Sequence, residues 1–156
     1  MQIQLKKLEI YQRLSDETTA FAADVWIDGQ KVGHAKNDGQ GGATLVYLTV
    51  PAARQSEIEA ALKEKVPAEY ARFTSGIEWA VDDIVETQRV AKSVAKNDAS
   101  FKRTCEKHNT SAARFDVPGT LGKETIWIEF AKGAEAGSRA QMLKKYPALV
   151  NWTVIA

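Results

Sequence analysis

The chain has 156 residues, 44% apolar and 26% charged, with a formal net charge of +1. A chain of this size buries about two-thirds of its unfolded surface, so the composition excludes a disordered or fibrous protein and fits one α+β domain over residues 1–156. No window approaches the roughly 18 uncharged apolar residues of a membrane span, the opening MQIQLKKLEIYQRL has no signal-peptide core or cleavage site, and the single Cys105 has no disulfide partner; a cytoplasmic location without a membrane partner is expected.

In chain order, Ile3 and Leu5 alternate in one phase while Leu8, Ile10 and Leu14 alternate in the other. A strand with a bulge or bend near Lys6-Lys7 reconciles the two sets. Thr19–Ile27 and Gln30–Lys36 flank Asp28-Gly29, the dipeptide favoured in a type I′ hairpin because both central residues take positive φ. A two-residue loop sets Val25 opposite Val32, Ala23 opposite His34 and Phe21 opposite Lys36 on the expected core side. Trp26 then faces Lys31, and Asp24 faces Gly33, on the other side. The loop Asn37-Asp38-Gly39-Gln40-Gly41-Gly42 leads to Ala43–Val50, rich enough in β-branched and aromatic residues for a fourth strand.

Pro51 ends that strand, and Ser56 with Glu59 three residues later has the spacing of a capping box opening a helix to about Val66. Pro67 closes it. A longer helix is expected from about Ser75, where Ile77, Ala80, Val81, Ile84, Val85, Ala91, Val94 and Ala95 recur at three-and-four spacing. Asn97-Asp98 either interrupts it or caps a short following helix that stacks Phe101 on Cys105. Ala112–Val117 and Glu124–Ala131, joined by the turn-rich Pro118–Gly122, form a second expected hairpin. A short helix over Ser138–Tyr146 and a strand over Ala148–Ile155 complete the order ββββ-αα-ββ-α-β, a mostly antiparallel sheet with helices on one face.

Charge is unevenly placed. Residues 54–88 carry twice as many acids as bases, whereas the next stretch sets Arg89, Lys92, Lys96, Lys102, Arg103, Lys107 and Arg114 against only Asp98 and Glu106. Basic groups strung along a helix neutralise phosphates, which makes Arg89, Lys92, Lys96, Lys102, Arg103 and Lys107 the candidate nucleic-acid contacts. The alternative is a solvated helix face paired with the molecule's own acids. Aromatic residues are sparse there, with Phe101 and Phe115 nearby. A basic sheet surface with Trp26 beside Lys31 is a second candidate contact patch, by analogy with sheet-plus-helix DNA binders.

Glu78, Asp82 and Glu86 recur every four residues, so their carboxylates share a helix face, with Asp83 beside them. Such a face binds magnesium, serves acid–base chemistry or docks on a basic protein surface; a solvated or protein-binding stripe is the reading taken. The Asn37–Gly42 loop lacks a following Lys-Ser/Thr and helix, so it reads as a connector and not a phosphate cradle. Cys105 and His108 have metal-ligand spacing, but the other histidine, His34, lies in the first hairpin and a zinc site needs three or four ligands. No metal or cofactor is expected, and Cys105 reads as a buried, inert thiol. The Gly-x-Ser-x-Gly, Rossmann and Walker patterns are absent.

The stretch VWIDGQKVGHAKNDGQGGAT (residues 25–44), followed by FKRTCEKH (101–108), resembles a loosely defined group of small uncharacterised proteins carried by bacteriophages, plasmids and their hosts. The shared elements are an Asp-Gly-x-x-Val-Gly hairpin, an Asn-x-Gly-x-Gly-Gly loop and a lysine-rich helix with one cysteine. The resemblance implies a mobile-element accessory protein, an inhibitor of bacterial defence being one such role, and it transfers no activity and assigns no catalytic residue. Three functions follow as expectations. The first is a non-catalytic binding protein joining nucleic acid, or a complex that handles it, through the basic helical segment. The second is an inhibitor of anti-CRISPR or anti-restriction type docking through Glu78, Asp82 and Glu86. The third is a small enzyme with an unrecognised site.

Overall fold

A computed structural model describes residues 1–119 and 122–156. The chain forms two compact units, Met1–Val90 and Ala91–Ala156. In the first, strands β1 (Ile3–Ile10), β2 (Phe21–Ile27), β3 (Gln30–Asn37) and β4 (Leu45–Leu48) form an antiparallel sheet in chain order. Helices α1 (Ala52–Lys63) and α2 (Gly76–His108) follow. The second unit holds the rest of α2, then β5 (Thr110–Gly119), β6 (Gly122–Ala131), α3 (Glu135–Lys145) and β7 (Val150–Val154), its sheet ordered β6-β5-β7 and antiparallel throughout. The architecture is thus α+β with the expected order of elements, its strands divided between two sheets. The connector Pro118–Gly122 includes Thr120 and Leu121, which lie outside the described residues.

Period-two alternation builds the first core. Phe21, Ala23, Val25 and Ile27 of β2 are buried with Val32 and Ala35 of β3, and against them pack Ile58 and Leu62 of α1 and Ile77, Val81 and Val85 of α2. The hairpin turn takes the expected form, with Asp28 at φ 48° and Gly29 at φ 81°. The expected irregularity in β1 is present too: register shifts between Lys6 and Glu9, with Lys7 at φ 52°, so that Ile3, Leu5, Leu8 and Ile10 all reach the core.

Several expectations are corrected. A second bulge falls between Val25 and Trp26 on the β2–β3 ladder, so Val25 pairs with Gly33, Asp24 with His34, Ala23 with Ala35 and Ala22 with Lys36. A one-residue slip moves a side chain to the opposite face, and His34 therefore lies on the outward side, away from the core. The bulge accommodates Gly33, whose backbone approaches the Tyr47 carbonyl so closely that a Cβ would collide with it. Ser56 does not open α1; the helix starts after Pro51 without a side-chain cap. Asn97-Asp98 neither breaks nor caps α2, which runs unbroken to His108 and ends at Asn109, left-handed at φ 56°. The apolar stripe does not continue as drawn: Ala91 and Ala95 are exposed, because alanine gains little from burial, and the buried side passes to Val94, Phe101 and Cys105.

The second core is smaller and aromatic. Phe115 is fully buried with Val117 and Leu149, flanked by Ile126, Ile128, Met142, Tyr146 and Trp152. Its ring stacks on Trp152 at 5.6 Å and tilts against Tyr146 at 5.8 Å. Beside it, the carboxylate of Asp116 is buried and satisfied by Thr125 (2.8 Å), Asn151 (2.8 Å) and Lys123 (3.1 Å).

Candidate nucleic-acid interface

A helix of 3.6 residues per turn places Lys92, Lys96, Arg103 and Lys107 within about 60° of arc, with Lys102 on the flank. All five are exposed. Among the described residues none of them forms a salt bridge, whereas the two ends of the basic block do. Arg89 grips Glu86 through Nε (2.7 Å) and Nη2 (2.6 Å), and Arg114 donates from Nε to Asp98 at 3.0 Å. The acid one helical turn before Lys102 is thereby turned away from it, since Asp98 accepts from both Arg114 and the Trp127 indole Nε1 (2.7 Å). The half-buried Val94, Asn97, Asp98 and Phe101 and the buried Cys105 lie on the opposite side of the helix.

The acidic stripe has its members engaged one by one. Glu78 closes a capping box with Ser75: its Oε2 accepts from the Ser75 N–H (2.9 Å) while the Ser75 hydroxyl accepts from the Glu78 N–H (3.2 Å). Glu59, which the sequence assigns to a cap on its own helix, accepts the α2 N–H groups of Gly76 (2.6 Å) and Ile77 (3.2 Å). Asp82 accepts from the buried Thr44 hydroxyl at 2.5 Å. Although the residue as a whole is exposed, loss of water around its carboxyl raises its pKa above the ordinary value; the Thr44 hydrogen bond opposes that rise and neighbouring Glu78 adds to it. Glu86 is held below its ordinary value by the hydrogen bonds from Arg89.

Asp82, Glu86 and Arg89 border a cleft of about 570 Å³ shared with Thr18, Asn37 and Thr44. Asn37 organises the glycine-rich loop beside it. Its Nδ2 donates to the Gly42 carbonyl (3.0 Å) and the Thr44 hydroxyl (3.2 Å), and its Oδ1 accepts from the Thr18 hydroxyl (2.9 Å) and Gly39 N–H (2.8 Å). The Gly41 N–H goes to Thr18. Two of the backbone donors that a phosphate cradle would aim outward, those of Gly39 and Gly41, are thus spent on Asn37 and Thr18.

Cys105 is buried. His108 is exposed, with Nδ1 3.4 Å from Glu129, and His34 belongs to the other unit. Among the described residues no three His, Cys, Asp or Glu side chains converge as metal ligands, and no helix is long and apolar enough to cross a membrane.

The outward face of the first sheet carries Trp26 but does not present it openly. The Lys6 ammonium lies 3.5 Å from its ring centroid, and its indole Nε1 is buried with no hydrogen-bond partner among the described residues. Lys31, opposite Trp26 as expected, pairs with Asp24 at 2.7 Å. The exposed aromatic surface lies two strands away, where His34 and Tyr47 stack at 4.9 Å and 18°. Sequence reasoning missed this pair because it placed His34 on the core side. An isolated glycine within a strand, here Gly33, is the signal that marks such a bulge. Comparison with protein-family models, with curated proteins and with solved structures finds no match to the chain.

Proposed function

We propose that the protein is a non-catalytic binding protein that associates with nucleic acid, or with a complex that handles it, through the basic side of α2. The observation that carries this reading is the exposed, unpaired set Lys92, Lys96, Arg103 and Lys107 along one side of a continuous helix, with Lys102 beside them. Complementing the helix dipole accounts for cations in the last turn only, and among the described residues Lys92, Lys96 and Arg103 form no salt bridge. From Lys92 to Lys107 the side extends about 22 Å at 1.5 Å per residue, comparable with the axial rise of about six base pairs of duplex. The phosphate contacts carry no base readout, so binding is independent of sequence. We extend the proposal to an accessory role in a mobile element, which the resemblance of residues 25–44 and 101–108 implies. The acidic stripe is less suited to docking, since Glu78 and Glu86 are held by their own helix.

Fluorescence anisotropy with a labelled random duplex tests the reading. Four or five phosphate contacts give a slope of log K against log salt of about −4. Reversing Lys92, Lys96 and Arg103 to glutamate should abolish binding while leaving thermal unfolding unchanged. A wild-type chain that binds no duplex at low salt, and retains no partner in a pull-down that nuclease treatment dissolves, would end it.

A further inference from the structure

A second surface, in the other unit, has a different chemistry. On the outward face of the β1–β4 sheet the ladders set Lys6, Asp24, His34 and Tyr47 in one row, and Glu9, Ala22, Lys36 and Leu45 in the next. Tyr47 is 46% exposed and Leu45 44% exposed, and His34 and Lys36 are exposed beside them. Of the acids on this face, Asp24 is ion-paired and Glu9 keeps its charge. Asp24 holds Lys31 and Lys7, which lowers its pKa chiefly through the Lys31 hydrogen bond, and Glu9 accepts from the Tyr11 hydroxyl. Lys36 has no salt bridge among the described residues, and Lys6 has only the Trp26 ring.

We propose that this face is a stacking surface for single-stranded nucleic acid, in which the Tyr47/His34 pair offers a ring plane to a base while Lys36 and Lys6 take neighbouring phosphates. A flat ring exposed on a sheet accepts any base, because every base has a π-face, and uncompensated ammonium groups beside it supply the backbone contacts. A duplex hides its base faces and gains nothing from Tyr47, so this surface selects single strands where the helix side does not. His34 stiffens the platform by backing the Tyr47 ring, a position it reaches only because of the bulge before Trp26. The inference shares its partner class with the helix reading but rests on different residues, so each can fail alone.

The test uses the full chain and a labelled oligo-dT of about 15 nucleotides, within the usual single-strand site size. A duplex of the same length is measured beside it. Tyr47→Ala should weaken oligo-dT binding about tenfold, the loss of one stacked base, and leave duplex binding unaltered; Tyr47→Phe should bind like wild type. Lys36→Glu should weaken oligo-dT binding and flatten its salt dependence. In a chain carrying the three α2 charge reversals, a remaining oligo-dT affinity that Tyr47→Ala removes would support the sheet independently of the helix. The proposal is overturned if wild type fails to bind oligo-dT at about 50 mM salt. It is overturned equally if Tyr47→Ala, folded by circular dichroism, binds oligo-dT as tightly as wild type, including the case in which the α2 reversals alone abolish binding.

Discussion

Asp98 and Arg114 meet at 3.0 Å between α2 and β5, and the other oxygen of the same carboxylate takes the Trp127 indole N–H from β6. One acid thus ties the second half of α2 to two strands of its sheet, under the stack of Phe101 on Trp127. Asp98→Ala leaves a half-buried guanidinium and an indole donor without their acceptor. Stability should fall by about 1–3 kcal/mol, read as a lower urea midpoint with an unchanged slope. The same variant should not weaken duplex binding, because Asp98 lies on the side of α2 away from Lys92, Lys96 and Arg103.

Glu59 and Ser56 make a discriminating pair. Sequence spacing assigns both to a capping box on α1, but Ser56 sits inside that helix and Glu59 caps α2 through Gly76 and Ile77. Glu59→Ala should cost about 1 kcal/mol, the usual loss for a removed cap, and Ser56→Ala should cost nothing measurable. Chemical denaturation of the two variants side by side checks this.

The pKa values of Asp116 and Asp82 are shifted in opposite directions. Burial alone would raise Asp116, but the hydrogen bonds from Asn151, Thr125 and Lys123 together outweigh it and hold its pKa below the ordinary value. Its ionised form therefore stabilises the fold above about pH 4, the unfolded carboxylate value, and that contribution is lost as pH falls through the lower folded pKa. Asp82, raised by desolvation, favours the fold most below the unfolded value, and that contribution is lost as pH rises through the higher folded pKa. Thermal unfolding across the acid range should show Asp116→Asn losing stability mainly above about pH 4. Asp82→Asn, which keeps an acceptor for Thr44, should gain stability near neutrality and lose the gain in acid.

Gly33→Ala tests the close approach of β3 to β4. The added methyl meets the backbone carbonyl of Tyr47, which no rotamer change relieves. A loss of about 1–3 kcal/mol is expected, with weaker oligo-dT binding, because the strand carrying Tyr47 must move. Gly42→Ala, where a Cβ meets open space, is the matched control and should match wild type in both measurements.

Periodicity and turn chemistry determined much by themselves. The Asp28-Gly29 hairpin, the break near Lys6-Lys7, the stripe Ile77–Val81–Val85 and the order of strands and helices all follow from local pattern, since side-chain spacing and backbone φ preferences act over a few residues. Three matters were decided only by tertiary structure. The bulge at Val32, next to Gly33, depends on the neighbouring strand, and it carried His34 from the expected core side to a place beside Tyr47. The partners of Glu59 and Asp98 come from elements 16 to 29 residues away, beyond the reach of any helical repeat. Whether a cation on α2 is spent or free turns on where the acids are held: Asp98 is drawn to the sheet and Glu86 to Arg89, and Lys92, Lys96 and Arg103 face solvent with the exposed Glu106 as the one acid on their side of the helix among the described residues. Charge count along a chain is a property of composition, but exposed charge is a property of the pairs that the fold allows.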